Sequence, residues 1–532
     1  MPMNSLLTYS KARTQITKKE KIGQLFMPAA FINDTEEEVQ ALEQLIEEYH
    51  VGGLCFFHSR ASAATNYEGK KEVIYNEQSF QTLQKLVKRY QKKSKYRLLI
   101  AIDAEWGLAM RIENTPQYPY AITLGALQDN LDLVYQVAKN IAHDCKQAGI
   151  HYNLAPVVDI NNNPDNPVIG YRSFGENKFN VTEKSMEFVK GTQSEGVACS
   201  IKHFPGHGDT AVDSHLGLPV ITKSKEELFE NELYPFKQLI QHGVESVMVG
   251  HLSVPSLSNG EHISSSISKD IIKGLLRNEL GHKGVVISDA LNMHAVSKHY
   301  PNKGELEWEA FDAGNDILCF AEHIAAGIEM ILDRANDVQL EESFKRVWKL
   351  KEKVIDAEVE HPTGLINPNK LNELIAKASI TLVQGSKESF EDYRKNRFVG
   401  ITNNPEINGP FFRKINESIA FSSYSISAAF SSSIKEEIAE EENIIISLFP
   451  PQIKPTNNFG FTMAEIQIIN ELISSKNVVI YLFGNPYALR VFDYQNSLAV
   501  VLAYQDDIAF QKVAAGHFLG RLPAKGKLPV AL

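Results

Sequence analysis

The 532-residue chain is short of cysteine, of long apolar runs and of excess positive charge, and each shortage removes a class of protein. Its four cysteines, Cys55, Cys145, Cys199 and Cys319, lie far apart with no CxxC pair, and three of them sit inside apolar runs. Buried, reduced thiols of a cytosolic protein are the expectation. No run approaches membrane-spanning length, and the N-terminal MPMNSLLTYSKARTQITKKEK lacks the apolar stretch of a signal peptide. A soluble, cytoplasmic chain without a membrane span is therefore expected, although a chain whose leader had been removed would read the same. Basic residues number 54 against 65 acidic ones, a formal charge of −11. That balance speaks against a nucleic-acid partner, which would require a basic face. Internal repeats and low-complexity tracts are also lacking.

Apolar material, by contrast, is ample. Hydrophobic residues make up 43% of the chain, and its length exceeds one ordinary core, so two domains are expected. Eight short apolar runs recur with helical patterns between them: IGQLFMPA (22–29), GGLCFF (52–57), LLIAID (98–103), YNLAPVVDI (152–160), ACSIKHF (198–204), SVMVGHL (246–252), GVVISDAL (284–291) and DILCF (316–320). Continuous apolar runs suit parallel strands covered on both faces. Amphipathic stretches such as 36–49 and 226–243 supply the intervening helices. Eight such units imply an N-terminal (β/α)8 barrel over residues 1–360. A basic helix at 342–359 closes it, and 361–370 reads as a linker. From 371 to 532 a second alternation, with strands at 379–384, 398–402, 443–449, 478–484 and 498–504, implies a smaller five-stranded α/β sandwich of flavodoxin-like kind. The polar stretch 403–442 resists parsing. Asn485 and Pro486 follow a strand and read as an ordinary turn.

Polar residues interrupt the barrel runs at their C-terminal ends: Asp103, Asp159, Lys202 with His203, His251 and Asp289. A barrel gathers those ends on one face, where active sites are built. The densest chemistry lies in SIKHFPGHGDTAVDSHLGLP (200–219). Three readings compete there. A metal site would use His203, His207, Asp209, Asp213 and His215, with His203 and His207 as an i, i+4 pair, but Pro205, Gly206 and Gly208 interrupt any helix, so the spacing loses its meaning. A structural loop would account for His207 and Asp209. An acid/base dyad would pair Asp213 with His215, two apart and so on one side of an extended loop, the carboxylate fixing the imidazole tautomer.

KHFPGHGDT (202–210), DSH (213–215), RSFG (172–175) and SDAL (288–291) together strongly resemble family 3 glycoside hydrolases, and the DSH element points to their β-N-acetylglucosaminidase branch. The resemblance covers about residues 15–355 and is weaker in the second domain, through GRLP (520–523) and KLPV (527–530). It implies that Asp289 is the nucleophile and that Asp213 and His215 form the general acid/base. It also implies that Asp103, Arg111, Arg172, Lys202 and His203 hold the non-reducing-end sugar. The pattern departs at EWGLAMR (105–111), where many relatives carry EGGRVxR, so Trp106 is open to a stacking or a core role.

The implied reaction is retaining, exo-acting hydrolysis of terminal β-linked N-acetylglucosamine, with peptidoglycan (muropeptide) or chitin fragments as sources and peptidoglycan recycling as the setting. No cofactor and no metal is expected, and the chain is read as a monomer or homodimer with a small carbohydrate partner. The rivals are a β-glucosidase or β-xylosidase, a β-N-acetylglucosaminide phosphorylase, a metal-dependent barrel hydrolase, and a catalytically silent sugar-binding protein.

Overall fold

The architecture is taken from a computed structural model, which describes residues 6–60, 75–210, 217–355, 364–426 and 438–532. The chain divides into two units. The first comprises Met1–Tyr118, Val134–Ile160 and Val181–Ile366; the second comprises Pro119–Leu133, Asn161–Asn180 and Asn367–Leu532. Two segments that lie within the barrel stretch of the sequence are thus part of the second unit. Of the stretch read as a linker, 361–363 lies outside the described residues, and the chain is helical again from Asn369.

Eight short strands form the first unit. They are β1 (Phe26–Met27 with Ala29–Phe31), β2 (Gly53–Phe57), β3 (Leu99–Ile102), β4 (Tyr152–Asn153), β5 (Ala198–Phe204), β6 (Ser246–Val249), β7 (Val285–Ser288) and β8 (Leu318–Cys319). A parallel ladder runs unbroken from Ala29–Phe31 to β7. Phe26–Met27 pairs in parallel with β8, and β8 reaches β7 through the Ile287–Ile317 bridge, so the ladder closes into a barrel. Pro28 splits β1 because it has no N–H to give. The residues of β2 to β8 are buried throughout, as strands covered on both faces must be.

Local sequence explains the helices between the strands. Thr35 and Glu38 form a reciprocal capping box, and the helix runs Glu36–Tyr49 as its periodicity requires. The pattern at 226–243 is two helices, Lys225–Glu230 and Leu233–Gln241. Pro235 is tolerated only near a helix start, where its missing N–H costs nothing, so a continuous helix breaks at Asn231. Away from the strand C-termini, Lys351 is fully buried and donates to Gln24 Oε1 (2.7 Å) and to the carbonyl of Gly52 (3.1 Å). Burial, helped by Arg97, pushes its pKa down to about 7.

The second unit holds a six-stranded sheet of β9 (Thr381–Gln384), β10 (Val399–Thr402), β11 (Ser423–Ser425), β12 (Asn443–Leu448), β13 (Asn477–Leu482) and β14 (Ala499–Leu502). Their order is β9-β14-β13-β12-β10-β11, parallel except for the β9–β14 pair. All five expected strands are present; β11, short and polar, is the sixth. Ile444, Ile446, Ile480, Leu482 and Val500 build a core that also takes in Ile122 and Ala126 from the Pro119–Leu133 segment.

Candidate active site at the barrel mouth

Asp103 follows β3 directly, and the next eight residues fold back on it. Gly107 has φ +105°, and a Cβ there would lie 2.6 Å from the Pro116 carbonyl oxygen, so only glycine fits. The short turn Leu108–Met110 then returns Arg111 to donate to Asp103 Oδ2 at 2.7 Å, with its guanidinium 5.2 Å from the centre of the Phe57 ring. Lys202, on β5, lies 2.8 Å from Asp103 Oδ1 and 2.8 Å from Glu105 Oε1, and its side chain is 2% exposed. Burial by itself would push the Asp103 carboxyl up. The charges of Lys202 and Arg111 outweigh it and hold Asp103 well below the usual carboxylate range.

A register shift in the β5–β6 ladder between Ile201 and Phe204 lets two successive residues of β5 serve this mouth. Lys202 turns to the β3 carboxylates, and His203 bonds Asp159, which follows β4. The Asp159 carboxylate, fully buried, accepts from His203 Nδ1 at 2.7 Å and from the amides of His203 and His207 at 3.1 and 2.7 Å. Burial opposes ionisation of Asp159, but the imidazole of His203 overcomes it and the carboxyl stays below its ordinary value. His203 therefore carries its proton on Nδ1 and keeps Nε2 for another partner. His207 bonds Thr210 through Nδ1 at 2.7 Å, and burial, then His203, push its pKa down to about 4. Asp209 pairs with Lys223 at 2.9 Å. Both are loop-stabilising contacts.

Asp289 ends β7, half-buried, with its amide on the Val249 carbonyl at 2.9 Å and the Ala290 amide on its Oδ1 at 2.8 Å. The fully buried His251 donates from Nε2 to the Ala290 carbonyl (2.9 Å) while Nδ1 meets the Ser266 hydroxyl (2.7 Å), which fixes the backbone that presents Asp289. The Cys319 thiol is pushed up chiefly by its hydrogen bond with Cys55 and by burial, and the charges of Asp103 and Asp289 both add to this. Asp289 also acts on His207. Asp289 follows β7 as Asp103 follows β3, so the parallel ladder carries it at the same rim as the Lys202 cluster.

Of the residues expected from sequence, Asp103, Arg111, Lys202, His203 and Asp289 come together at the barrel strand ends. Arg172 is carried by the second unit, in the turn Gly170–Arg172, where its guanidinium donates to Val168 O at 3.3 Å. Asp213 and His215 lie outside the described residues. Trp106 is half-buried and Leu108 fully buried. Asn485 caps the turn after β13, accepting the Tyr487 amide at 3.1 Å, as an ordinary turn residue does. Three contributors had only a weak signal in the sequence. Asp159 and His251 are strand-end polar residues, and Glu105 stands two residues after Asp103, but none of their partners is near in sequence.

A closed parallel β/α barrel that collects carboxylates, imidazoles and a buried lysine at one rim defines a barrel-type enzyme scaffold with an acid-rich mouth. Residues 17–355 match the Glycosyl hydrolase family 3 N terminal domain, and the chain belongs to that family. It is 33% identical over 376 residues to Beta-hexosaminidase A of Pseudoalteromonas piscicida, an alignment covering 64% of this chain and 61% of the relative. It is 27% identical over 385 residues to the Beta-N-acetylglucosaminidase/beta-glucosidase of Cellulomonas fimi, covering 70% of this chain and 59% of the relative. The chain therefore aligns with about three-fifths of the length of each of these curated relatives. Among solved structures, a glycoside hydrolase family 3 β-N-acetylglucosaminidase from Paenibacillus sp. str. FPU-7 superposes with a TM-score of 0.78 at 28% identity, covering 97% of this chain and 99% of the other.

Proposed function

We propose that the chain is a retaining exo-β-N-acetylglucosaminidase that releases terminal β-linked N-acetylglucosamine from oligosaccharides. The observation that carries this reading is the ion cluster at the mouth that Asp289 shares. Lys202 and Arg111 keep Asp103 ionised there, which offers a fixed row of acceptors and donors to the hydroxyls of one terminal sugar. Asp289 attacks the anomeric carbon and forms a covalent glycosyl-enzyme, while His215, oriented by Asp213, protonates the leaving oxygen. His215 then takes a proton from the water that releases the sugar. Arg111, Lys202 and His203 bind the sugar in this reading. The names of the relatives support the N-acetylglucosaminide specificity. The dual name of the Cellulomonas fimi relative favours a second reading in which glucosides are also cleaved. Peptidoglycan or chitin fragments are the proposed sources. Four buried free cysteines support a reducing, cytoplasmic setting.

The test is turnover of p-nitrophenyl N-acetyl-β-glucosaminide beside the matching glucoside and xyloside, with and without inorganic phosphate. A preference of roughly tenfold or more for the acetamido sugar is expected, a margin that one substituent can give in a shaped site. Faster cleavage of the glucoside would move the specificity to the second reading, and sugar 1-phosphate as product would make the chain a phosphorylase. No turnover of any of the three would return it to a sugar-binding role. His215→Ala should impair unactivated glycosides by roughly two to four orders of magnitude and aryl glycosides far less, because good leaving groups need little protonation. Equal losses on both would take the acid/base role away from His215.

A further inference from the structure

Phe320, the residue after β8, has φ +51°, a left-handed backbone that crowds the Cβ of any side chain and that a phenylalanine rarely adopts. Such a conformation persists where the surroundings fix the residue, and it gathers at functional sites. Two sets of contacts fix it here. Its amide donates to the Met27 carbonyl at 2.8 Å and so continues the β8–β1 ladder. Its ring, half-buried, meets Phe57, the last residue of β2, with centroids 5.2 Å apart, and Phe31, the last residue of β1, at 5.9 Å. Phe31 and Phe57 are themselves 6.0 Å apart, so rings from three neighbouring strand ends close one aromatic triangle at the rim.

Two arginines rest on this triangle, and they are held differently. Arg60 lies 4.7 Å from the centre of the Phe31 ring, but carboxylates fix it: its Nε and Nη2 donate to Asp34 at 2.8 and 3.0 Å, and Glu38 stands 2.8 Å away. Arg111 lies 5.2 Å from the centre of the Phe57 ring and donates from Nη2 to Asp103 Oδ2 at 2.7 Å. Its Nε is buried without a hydrogen-bond partner among the described residues. A single hydrogen bond lets a guanidinium plane swing about it, and an aromatic face removes that freedom. The direction of Arg111 thus depends on where the Phe57 ring stands, and Phe320 is the closer of the two rings that pack on Phe57.

We propose that Phe320 is a positioning residue for sugar binding. Its ring holds Phe57, Phe57 holds the plane of the Arg111 guanidinium, and Arg111 then presents a fixed donor to a hydroxyl of the terminal sugar. This rests on the reading of Arg111 as a sugar-binding residue and extends it through a chain of contacts to β8. A glycine or an asparagine would sit more easily at φ +51°, but it would leave Phe57 without its closer ring. A side chain that only filled space would need no ring at all.

The experiment measures hydrolysis of p-nitrophenyl N-acetyl-β-glucosaminide by the full chain, with melting temperatures alongside. Wild type, Phe320→Leu, Phe320→Tyr, Arg111→Met and the double variant Arg111→Met with Phe320→Leu are compared. Phe320→Leu should raise KM roughly tenfold with kcat within about threefold, as loosening of a group that binds ground and transition states alike does. Phe320→Tyr keeps the ring and should hold KM within about twofold of wild type. In the Arg111→Met background, Phe320→Leu should change KM by less than about twofold, because the group it positions is gone. Phe320→Met serves as the ring-free variant should Phe320→Leu fold poorly. A crystal structure of the ring-free variant reads the same point without turnover: Arg111 should leave the Phe57 face while Arg60 keeps its carboxylates. A lower melting temperature with KM unchanged, an equal KM effect with and without Arg111, or an Arg111 that stays in place in the ring-free variant would overturn the proposal. A displaced Arg111 in a chain that turns over no p-nitrophenyl glycoside would support the positioning and sink only the sugar-binding reading.

Discussion

The two units share one building plan, parallel strands alternating with helices, yet their strand ends are finished differently. In the barrel the C-terminal ends present Asp103, Asp159, Lys202, His203 and Asp289, the first four bonded side chain to side chain. In the second unit the corresponding positions stitch the backbone with neutral groups. Asn403 donates to the Phe449 carbonyl at 2.7 Å and accepts the Phe449 amide at 2.8 Å, and the Phe449 ring stacks on Phe483 with centroids 4.6 Å apart. Charge is costly to bury, so several charged groups gathered at one set of strand ends make those ends a candidate site. Neutral stitching costs little and stabilises the sheet. The difference is in line with the proposal that the barrel carries the chemistry.

The largest effect should come from Asp289→Ala. Loss of a nucleophile is expected to lower kcat by roughly four orders of magnitude or more while the melting temperature stays within a few degrees of wild type. Retained turnover would show that the charged rim is not the reacting one. Lys202→Met should come next. It leaves Asp103 and Glu105 without their shared cation, and urea unfolding at pH 7 should register a loss of about 3 kcal/mol. The deficit should shrink below about pH 4, where the stranded carboxyls can take up protons; a deficit unchanged with pH would mean that packing, not charge, was lost.

A smaller contrast is expected in acid. His151, His207 and His282 in the barrel are pushed down to about 3, 4 and 4, chiefly by burial, and His517 in the second unit to about 4. Each is depressed in the folded state, so its contribution is complete above the ordinary histidine value near 6.5 and is lost as the pH falls from there toward about 4. Per group the slope approaches about 1.4 kcal/mol per pH unit. All three tryptophans, Trp106, Trp308 and Trp348, lie in the barrel unit. Melting followed by tryptophan fluorescence should therefore drop more steeply between pH 6.5 and 4.5 than melting followed by far-UV circular dichroism. Parallel curves would erase the distinction. The smallest effect belongs to Asn403→Ala, about 1 kcal/mol of stability from a neutral stitch, with kcat unchanged within twofold. A large loss of activity there would make the second unit a chemical partner and blunt the comparison.

Much of this was legible in the residues, and the failures are instructive. The helix Glu36–Tyr49 could be read to the residue because its signals, a capping box and a 3.6-residue stripe, are local. The run at 152–160 promised a long strand, but only Tyr152–Asn153 pair as one; Pro156, three residues on, has no amide to give the ladder. β11 escaped notice because three half-buried polar residues carry no hydrophobic pattern. At the site, Asp103, Arg111 and Lys202 were expected together and form one ion cluster. The bonds from Asp159 to His203 and from His251 to Ala290 span 44 and 39 residues, and no spacing rule reaches that far.

The sequence by itself determined the element types, the closure-competent count of eight apolar runs and the chemical identity of the strand-end residues, because periodicity and burial preference act over a few residues. Tertiary structure alone decided which charges share a hydrogen bond and that residues 119–133 and 161–180, with Arg172 among them, fold with the second unit. Those outcomes depend on which distant groups exclude water together, and that is fixed only when the whole chain packs.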